Sequence, residues 1–216
     1  MAARNYGQYC GVTTALELVG ERWALLIVRD LLVGPRRYTD LKQGLPRIPT
    51  NILSTRLKEL QAAGIVRRLP MAHGLAYGLT DYGRELEDVV LALGRWGFQA
   101  MGEPSPEDII TADSMTIAFR AAYRADVAAA APATAYDVRL GNIGLGIRTG
   151  TTGLAIAPAS ADFGSDLAFV TGPDIRRLIS GELAPAAAIR QGTVQVVSGD
   201  LALLDRFADT FHLRPH

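Results

Sequence analysis

Eight basic residues fall between positions 36 and 68: Arg36, Arg37, Lys42, Arg47, Arg56, Lys58, Arg67 and Arg68. Only Asp40 and Glu59 oppose them, a local net charge of +6 in a chain whose 22 basic and 22 acidic residues cancel. A basic cluster in a neutral chain points to a patch facing a polyanion; from charge alone, a solvated charged face is the other reading. Other chemistry-bearing residues are sparse. The three histidines (His73, His212, His216) and the single cysteine, Cys10, have no zinc-ligand spacing. No Ser/His/Asp set is suggested. The stretch Gly141-Asn142-Ile143-Gly144-Leu145-Gly146 is rich in glycine, but it sits between strand patterns with no helix after it, so it reads as a tight hairpin and not a dinucleotide loop. The expectation is a non-enzyme with no catalytic residue, metal or cofactor.

The elements that must position the basic cluster follow from periodicity. Over 12–33, Leu16, Val19, Trp23, Leu26, Ile27 and Leu31 recur at helical spacing, broken at Gly20 and ended at Gly34-Pro35. Residues 38–44 predict a short helix with Tyr38 and Leu41 inward. The helix over 49–63 has the clearest pattern: Leu53, Leu57 and Leu60 make one apolar stripe, and Gly64 is the expected terminator. At 100° per residue Asn51, Thr55 and Lys58 lie opposite that stripe, flanked by Arg47 and Ser54. Strands are expected at 65–69 and 76–79, joined by a loop over 70–75 that turns at Gly74, then a helix from about 81 to 100, capped by Thr80.

Helix, helix, short helix, turn, helix and hairpin is the order of a winged helix-turn-helix. A B-DNA major groove admits one helix, which must hide its leucines behind it and offer short hydrogen-bonding groups to base edges. The helix over 49–63 meets that demand. Arg67, Arg68 and His73 on the hairpin are placed to meet phosphates, which set register without reading sequence.

At Gly102-Glu103-Pro104-Ser105-Pro106 the composition shifts, so the expected domains are 1–103 and 104–216, with 13 basic against 10 acidic residues in the first and 9 against 12 in the second. The second half predicts a helix over 113–130, strands near 135–140, 143–149, 153–157, 166–171 and 193–197, and helices over 173–180, 185–191 and 200–211. The fold class is therefore α+β in two domains, the first mainly α. A lone cysteine fits a reducing compartment. No apolar run approaches the roughly 20 residues of a membrane helix, and no signal-peptide pattern opens the chain, so the expectation is a cytoplasmic protein with no membrane partner.

Residues 6–97 resemble the HxlR-type family of bacterial regulators, relatives of the MarR group. The resemblance rests on Cys10 followed by ALELVGERWALLIVRDLLVGPRRYTDL, then IPTNILSTRLKELQAAGIVRR, then YGLTDYG. It implies a homodimer, built on the N-terminal segment and the last helix of the domain, whose two recognition helices address half-sites in double-stranded DNA. With the outward residues above, the expected DNA-contacting set is Arg36, Arg37, Tyr38, Arg47, Thr50, Asn51, Ser54, Thr55, Lys58, Arg67, Arg68 and His73. Relatives often carry serine where this chain has Pro49, which leaves the residue that caps this helix open. In some relatives an N-terminal cysteine senses oxidants. Here Cys10 is either such a sensor or a small interface residue, with Arg4 the one evident neighbour to lower its pKa.

Residues 134–211 are similar to the sterol-carrier-protein-like fold, through ATAYDVRLGNIGLGIRTGTTGLAI and LISGELAPAAAIRQGTVQVVSGDLALL. That resemblance implies an apolar tunnel for a fatty-acyl or sterol-like molecule. Its candidate lining is Leu167, Phe169, Leu178, Ile179, Leu183, Ile189, Val194, Val196, Leu204, Phe207 and Phe211, and a plain packed core is the alternative. The combined expectation is a DNA-binding transcriptional regulator, a repressor tuned by an apolar ligand. The rivals are a lipid-transfer protein dimerised by its winged helix, and a redox switch at Cys10.

Overall fold

The computed structural model describes residues 5–72, 74–105, 107–160 and 163–213. They form two compact units, dividing between Val90 and Leu91.

In the first unit, α1 (Gly11–Val19) and α2 (Ala24–Val33) are separated at Gly20, whose αR backbone closes α1. Of the residues at helical spacing, Leu16 and Leu26 are exposed, whereas Val19, Ile27 and Leu31 are buried, as is Val28. The periodicity located the helices, and the inner face is narrower than the apolar one. The short α3 (Tyr38–Gly44) is followed by α4 (Thr50–Ala62). Leu53, Leu57 and Leu60 are each at most 1% exposed. Gly64, at φ 71°, sends its N–H to the Gln61 carbonyl while the Ile65 N–H reaches Leu60, a Schellman ending that turns the chain into the next strand.

The hairpin strands β1 (Val66–Met71) and β2 (Gly74–Leu79) pair further toward the tip than the alternating pattern suggested: Pro70 faces Leu75 and Met71 faces Gly74. A backbone bridge between Arg36 and Tyr77, at 2.9 and 2.7 Å, adds a third segment beside β2 and leaves β1 at the edge, where a proline is tolerated. The expected helix over 81–100 is two, α5 (Asp81–Arg84) and α6 (Glu87–Phe98), and the division between the units falls within α6. Thr80 caps α5 through the Gly83 N–H at 3.0 Å. A Cβ on Gly83 would lie 2.2 Å from the Ile65 carbonyl oxygen, so glycine is what lets α5 dock against the chain entering β1.

The second unit is built on a mixed sheet in the order β5-β4-β3-β6-β7, from β3 (Thr134–Leu140), β4 (Ile143–Gly150), β5 (Gly153–Pro158), β6 (Leu167–Thr171) and β7 (Val194–Gly199). Only β3 and β6 run parallel. The Gly141-Asn142 turn joins β3 to β4 with Gly141 at φ 53°, and a Cβ on Gly146 would stand 2.7 Å from the Phe163 ring. The glycine-rich stretch thus serves a tight hairpin and a close ring contact. The alanine-rich helix expected over 113–130 is divided into α7 (Ala112–Ala122) and α8 (Ala125–Ala129). Between them the Arg124 N–H bonds to Thr210 at 2.8 Å, and the His212 N–H bonds to Ala122 at 2.9 Å. Backbone pairing with the far end of the chain overrides local helix propensity there. The remaining helices are α9 (Ile175–Ile179), α10 (Pro185–Arg190) and α11 (Ala202–Thr210).

At the centre of this unit Phe207 of α11 meets Phe119, Tyr136, Phe169 and Phe211, with ring centroids 4.8 to 5.8 Å apart and most pairs edge to face.

Candidate nucleic-acid interface

The polar face of α4 is carried by a leucine-backed cylinder that several local devices hold in place. Pro49 occupies the N-cap position at φ −63° and ψ 142°, and its carbonyl accepts the Leu53 N–H at 2.9 Å. No side chain caps the helix. A tie from α3 acts in the same first turn: the Tyr38 hydroxyl donates to the Thr50 carbonyl at 2.8 Å, and Ser54 Oγ donates to the Tyr38 oxygen at 3.3 Å. Tyr38 and Ser54, both expected to touch DNA, are half-buried and bonded to each other, which fits them to orient the helix. Thr55 is also half-buried and donates to the Asn51 carbonyl at 2.9 Å.

Thr50, Asn51 and Lys58 are exposed on α4. Arg37 and Arg47 are exposed at either end of α3 and its following turn, and Arg67 and Arg68 are exposed on β1. Arg36 is half-buried, its backbone in the bridge to Tyr77. His73 lies outside the described residues.

The basic cluster loses one member. Arg56 is 8% exposed, and its guanidinium bonds to Glu59 and, at 2.7 Å, to Glu21 in the turn between α1 and α2. This arginine is an internal tie between the helix pair and α4. The Glu59 half is visible in the sequence as an i, i+3 pair; Glu21, 35 residues away, is not. The same turn holds Trp23 at φ 81°, with the Arg22 guanidinium 5.0 Å over its ring.

A second kind of surface lies on α6, where Val89, Leu93 and Trp96 are exposed at i, i+4 and i+7, Trp96 at 73%. Tyr9, Val12 and Leu16, in and just before α1, are exposed as well. Cys10, exposed at the N-cap of α1, has its pKa lowered by the Thr13 and Val12 backbone amides at the open helix start, although the sulfur makes no capping hydrogen bond of ordinary length. The expected influence of Arg4 lies outside the described residues, and the helix amides supply what the sequence did not reveal.

Of the expected tunnel lining, Leu167, Phe169, Leu178, Leu183, Val194, Leu204, Phe207 and Phe211 are buried in the closed core, and Ile189 and Val196 pack against it. A cavity of about 530 Å³ lies elsewhere in the second unit, between the segment that follows α6 and helices α7 and α9, and from the expected set only Ile179 borders it. Among the described residues no helix is long and apolar enough to cross a membrane, and no group of His, Cys, Asp and Glu is placed to hold a metal ion.

Residues 18–105 match the family model described as HxlR-like helix-turn-helix. The chain is 41% identical over 96 residues to the uncharacterized HTH-type transcriptional regulator Rv3095 of Mycobacterium tuberculosis, covering 43% of this chain and 60% of that protein. It therefore spans about 60% of the length of the mycobacterial relatives it matches. The HTH-type transcriptional regulator YvaP of Bacillus subtilis is 34% identical over 85 residues, covering 38% of this chain and 79% of that protein. Among solved structures, quinone-bound YodB from B. subtilis is similar over 41% of this chain and 96% of its own, with 34% identity and a TM-score of 0.37. On its matches to relatives named as HTH-type transcriptional regulators, the chain belongs to the HxlR-like helix-turn-helix family.

Proposed function

We propose that this DNA-binding regulator is a homodimeric repressor that reads double-stranded DNA with α4 and responds to a small apolar molecule held in its second unit. The observation that carries the reading is the outer face of α4: Thr50, Asn51 and Lys58 are exposed over a fully buried leucine stripe, with Arg67 and Arg68 exposed on the adjoining strand. Amide, hydroxyl and ammonium groups on a helix of groove-compatible width suit base edges, and arginines on a hairpin suit phosphates. We place DNA binding and dimerisation in 1–103 and the ligand in 104–216, a division that follows the composition shift and lies beyond the unit boundary after Val90. The apolar faces of α6 and α1 suit the dimer contact, since exposed apolar stripes mark surfaces covered by another protein.

The test is a gel shift with the DNA flanking the coding gene, with and without organic extract of the expressing cells. Asn51→Ala should lose about 1–3 kcal/mol of preference for the specific site and leave binding to random duplex nearly unchanged. Arg67→Ala or Arg68→Ala should weaken binding to every duplex and lower the salt slope by about one unit each. Equal loss of specific and nonspecific binding in the Asn51 variant would remove it from base readout.

A second reading is favoured by one observation, the exposed thiol of Cys10 at a helix start with its pKa lowered. Oxidation there would place a modified sulfur beside the apolar face of α1 and alter dimer geometry. Loss of operator binding after mild peroxide treatment, absent in Cys10→Ser, would support it.

A further inference from the structure

We infer that the cavity following α6 is a binding site for a cationic amphiphile, an apolar body bearing an ammonium or amidinium head. Its volume, about 530 Å³, falls within the roughly 300–1,000 Å³ of small-molecule sites. The walls are mostly apolar, with Ile109, Ile110, Ala118 and Ile179 joined by Met101 and Met115, whose flexible thioethers adapt to irregular partners. The charged groups that border it decide the sign of the head. Glu103 and Asp108 stand against a single cation, Arg176. Both Nη atoms of that guanidinium are engaged, Nη1 at 2.9 Å from Glu182 and Nη2 at 3.3 Å from Glu103, while its Nε is buried without a hydrogen-bond partner. Beyond the lining, Glu182 and the neighbouring Arg177 offset one another.

A carboxylate ligand would therefore meet two like charges and an arginine whose two Nη atoms are taken and which has only its Nε to offer. A cation meets Glu103, which is largely exposed, and Asp108, one of whose oxygens accepts the Ser105 N–H at 2.8 Å. Phe98 adds an aromatic ring to the apolar wall. The fatty-acid anion that a sterol-carrier-like domain brings to mind is the class this rim disfavours. The regulatory meaning of the site rests on the ligand-tuned reading above; binding itself does not.

The experiment is calorimetric titration of the full chain at neutral pH and low salt with decylammonium, 1-decanol and decanoate, each below its micelle-forming concentration. Decylammonium should bind about tenfold more tightly than decanol, with decanoate weakest, and added salt should shrink the gaps. The double variant Glu103→Gln/Asp108→Asn should bring decylammonium and decanol close together. Ala118→Trp, at an exposed position on the cavity wall, should abolish binding of all three with the unfolding temperature unchanged; if it fails to fold, Ile109→Trp in the loop serves the same purpose. Decanoate binding as tightly as decylammonium, no binding by any probe, or unaltered isotherms in the folded tryptophan variant would overturn the proposal. Operator affinity measured in the same samples separates the two claims. Decylammonium binding that leaves DNA affinity unchanged would uphold this site and remove ligand-tuned repression.

Discussion

Two helices leave a face bare, and the two faces differ in kind. On α4 the exposed side chains are short and polar or charged, Thr50, Asn51 and Lys58, whereas on α6 they are Val89, Leu93 and Trp96. A polar face gains little by leaving water unless its partner offers matching donors and acceptors, so it suits selective recognition of a polar, charged surface. An apolar stripe gains from any complementary apolar cover, at about 25 cal/mol per Å², so it suits a lasting protein contact. Both helices belong to the part of the chain that matches the family, residues 18–105. The assignment of α4 to DNA and α6 to a second copy rests on this contrast.

The contrast can be broken or sharpened by deleting apolar groups on each side of it. Leu57→Ala, on the buried side of α4, should cost about 3 kcal/mol of stability, read by urea unfolding, because the site lies in a closed core and cannot collapse around the lost atoms. Trp96→Ala removes a larger side chain yet should leave unfolding of the single chain within about 0.5 kcal/mol. Its effect should appear in self-association, weakened about 30-fold by sedimentation or light scattering on dilution, as for a hot-spot tryptophan. An unchanged oligomeric state in that variant would detach α6 from the dimer. A smaller effect, about 1 kcal/mol, is expected for Glu21→Gln, since Arg56 keeps Glu59 and its bond to position 21 loses only the carboxylate's charge. The smallest is kinetic. Because the folded-state pKa of Cys10 is lowered, its thiolate fraction rises at a lower pH than in a free thiol. Its alkylation rate should accordingly reach half-maximum at a lower pH than in the urea-unfolded chain, and coincident profiles would mean that the helix amides do not act on the sulfur.

Much of the first unit was legible. The stripe Leu53, Leu57, Leu60 and the glycine after it predicted α4 nearly to the residue, and every leucine in it is buried. The YGLTDYG segment has a physical reason in the structure: Gly83 leaves room for the Ile65 carbonyl, and Thr80 caps α5. Periodicity alone does not separate the exposed Leu16 and Leu26 from the buried residues of the same stripe, because an exposed apolar face and a core face share one period. By charge Arg56 belongs to the basic cluster, and its internal role is hidden because its partner Glu21 is distant in sequence. In the second unit the strands are well placed, and most of the candidate tunnel lining is buried in the core around Phe207, a placement that periodicity alone does not distinguish from a pocket wall.

By itself the sequence determined the periods: where helices and strands run, where glycine and proline end them, and which helix carries polar groups opposite its leucines. These are local properties, set by 3.6-residue and two-residue repeats and by backbone sterics. Only the tertiary structure decided which arginine is an internal tie, where the alanine-rich helix breaks to pair with the chain's far end, and that open space lies after α6 while the aromatic centre is closed. Those outcomes depend on contacts between residues far apart in the chain, and hydrophobic periodicity carries no record of which surfaces meet or how completely they fill the space between them.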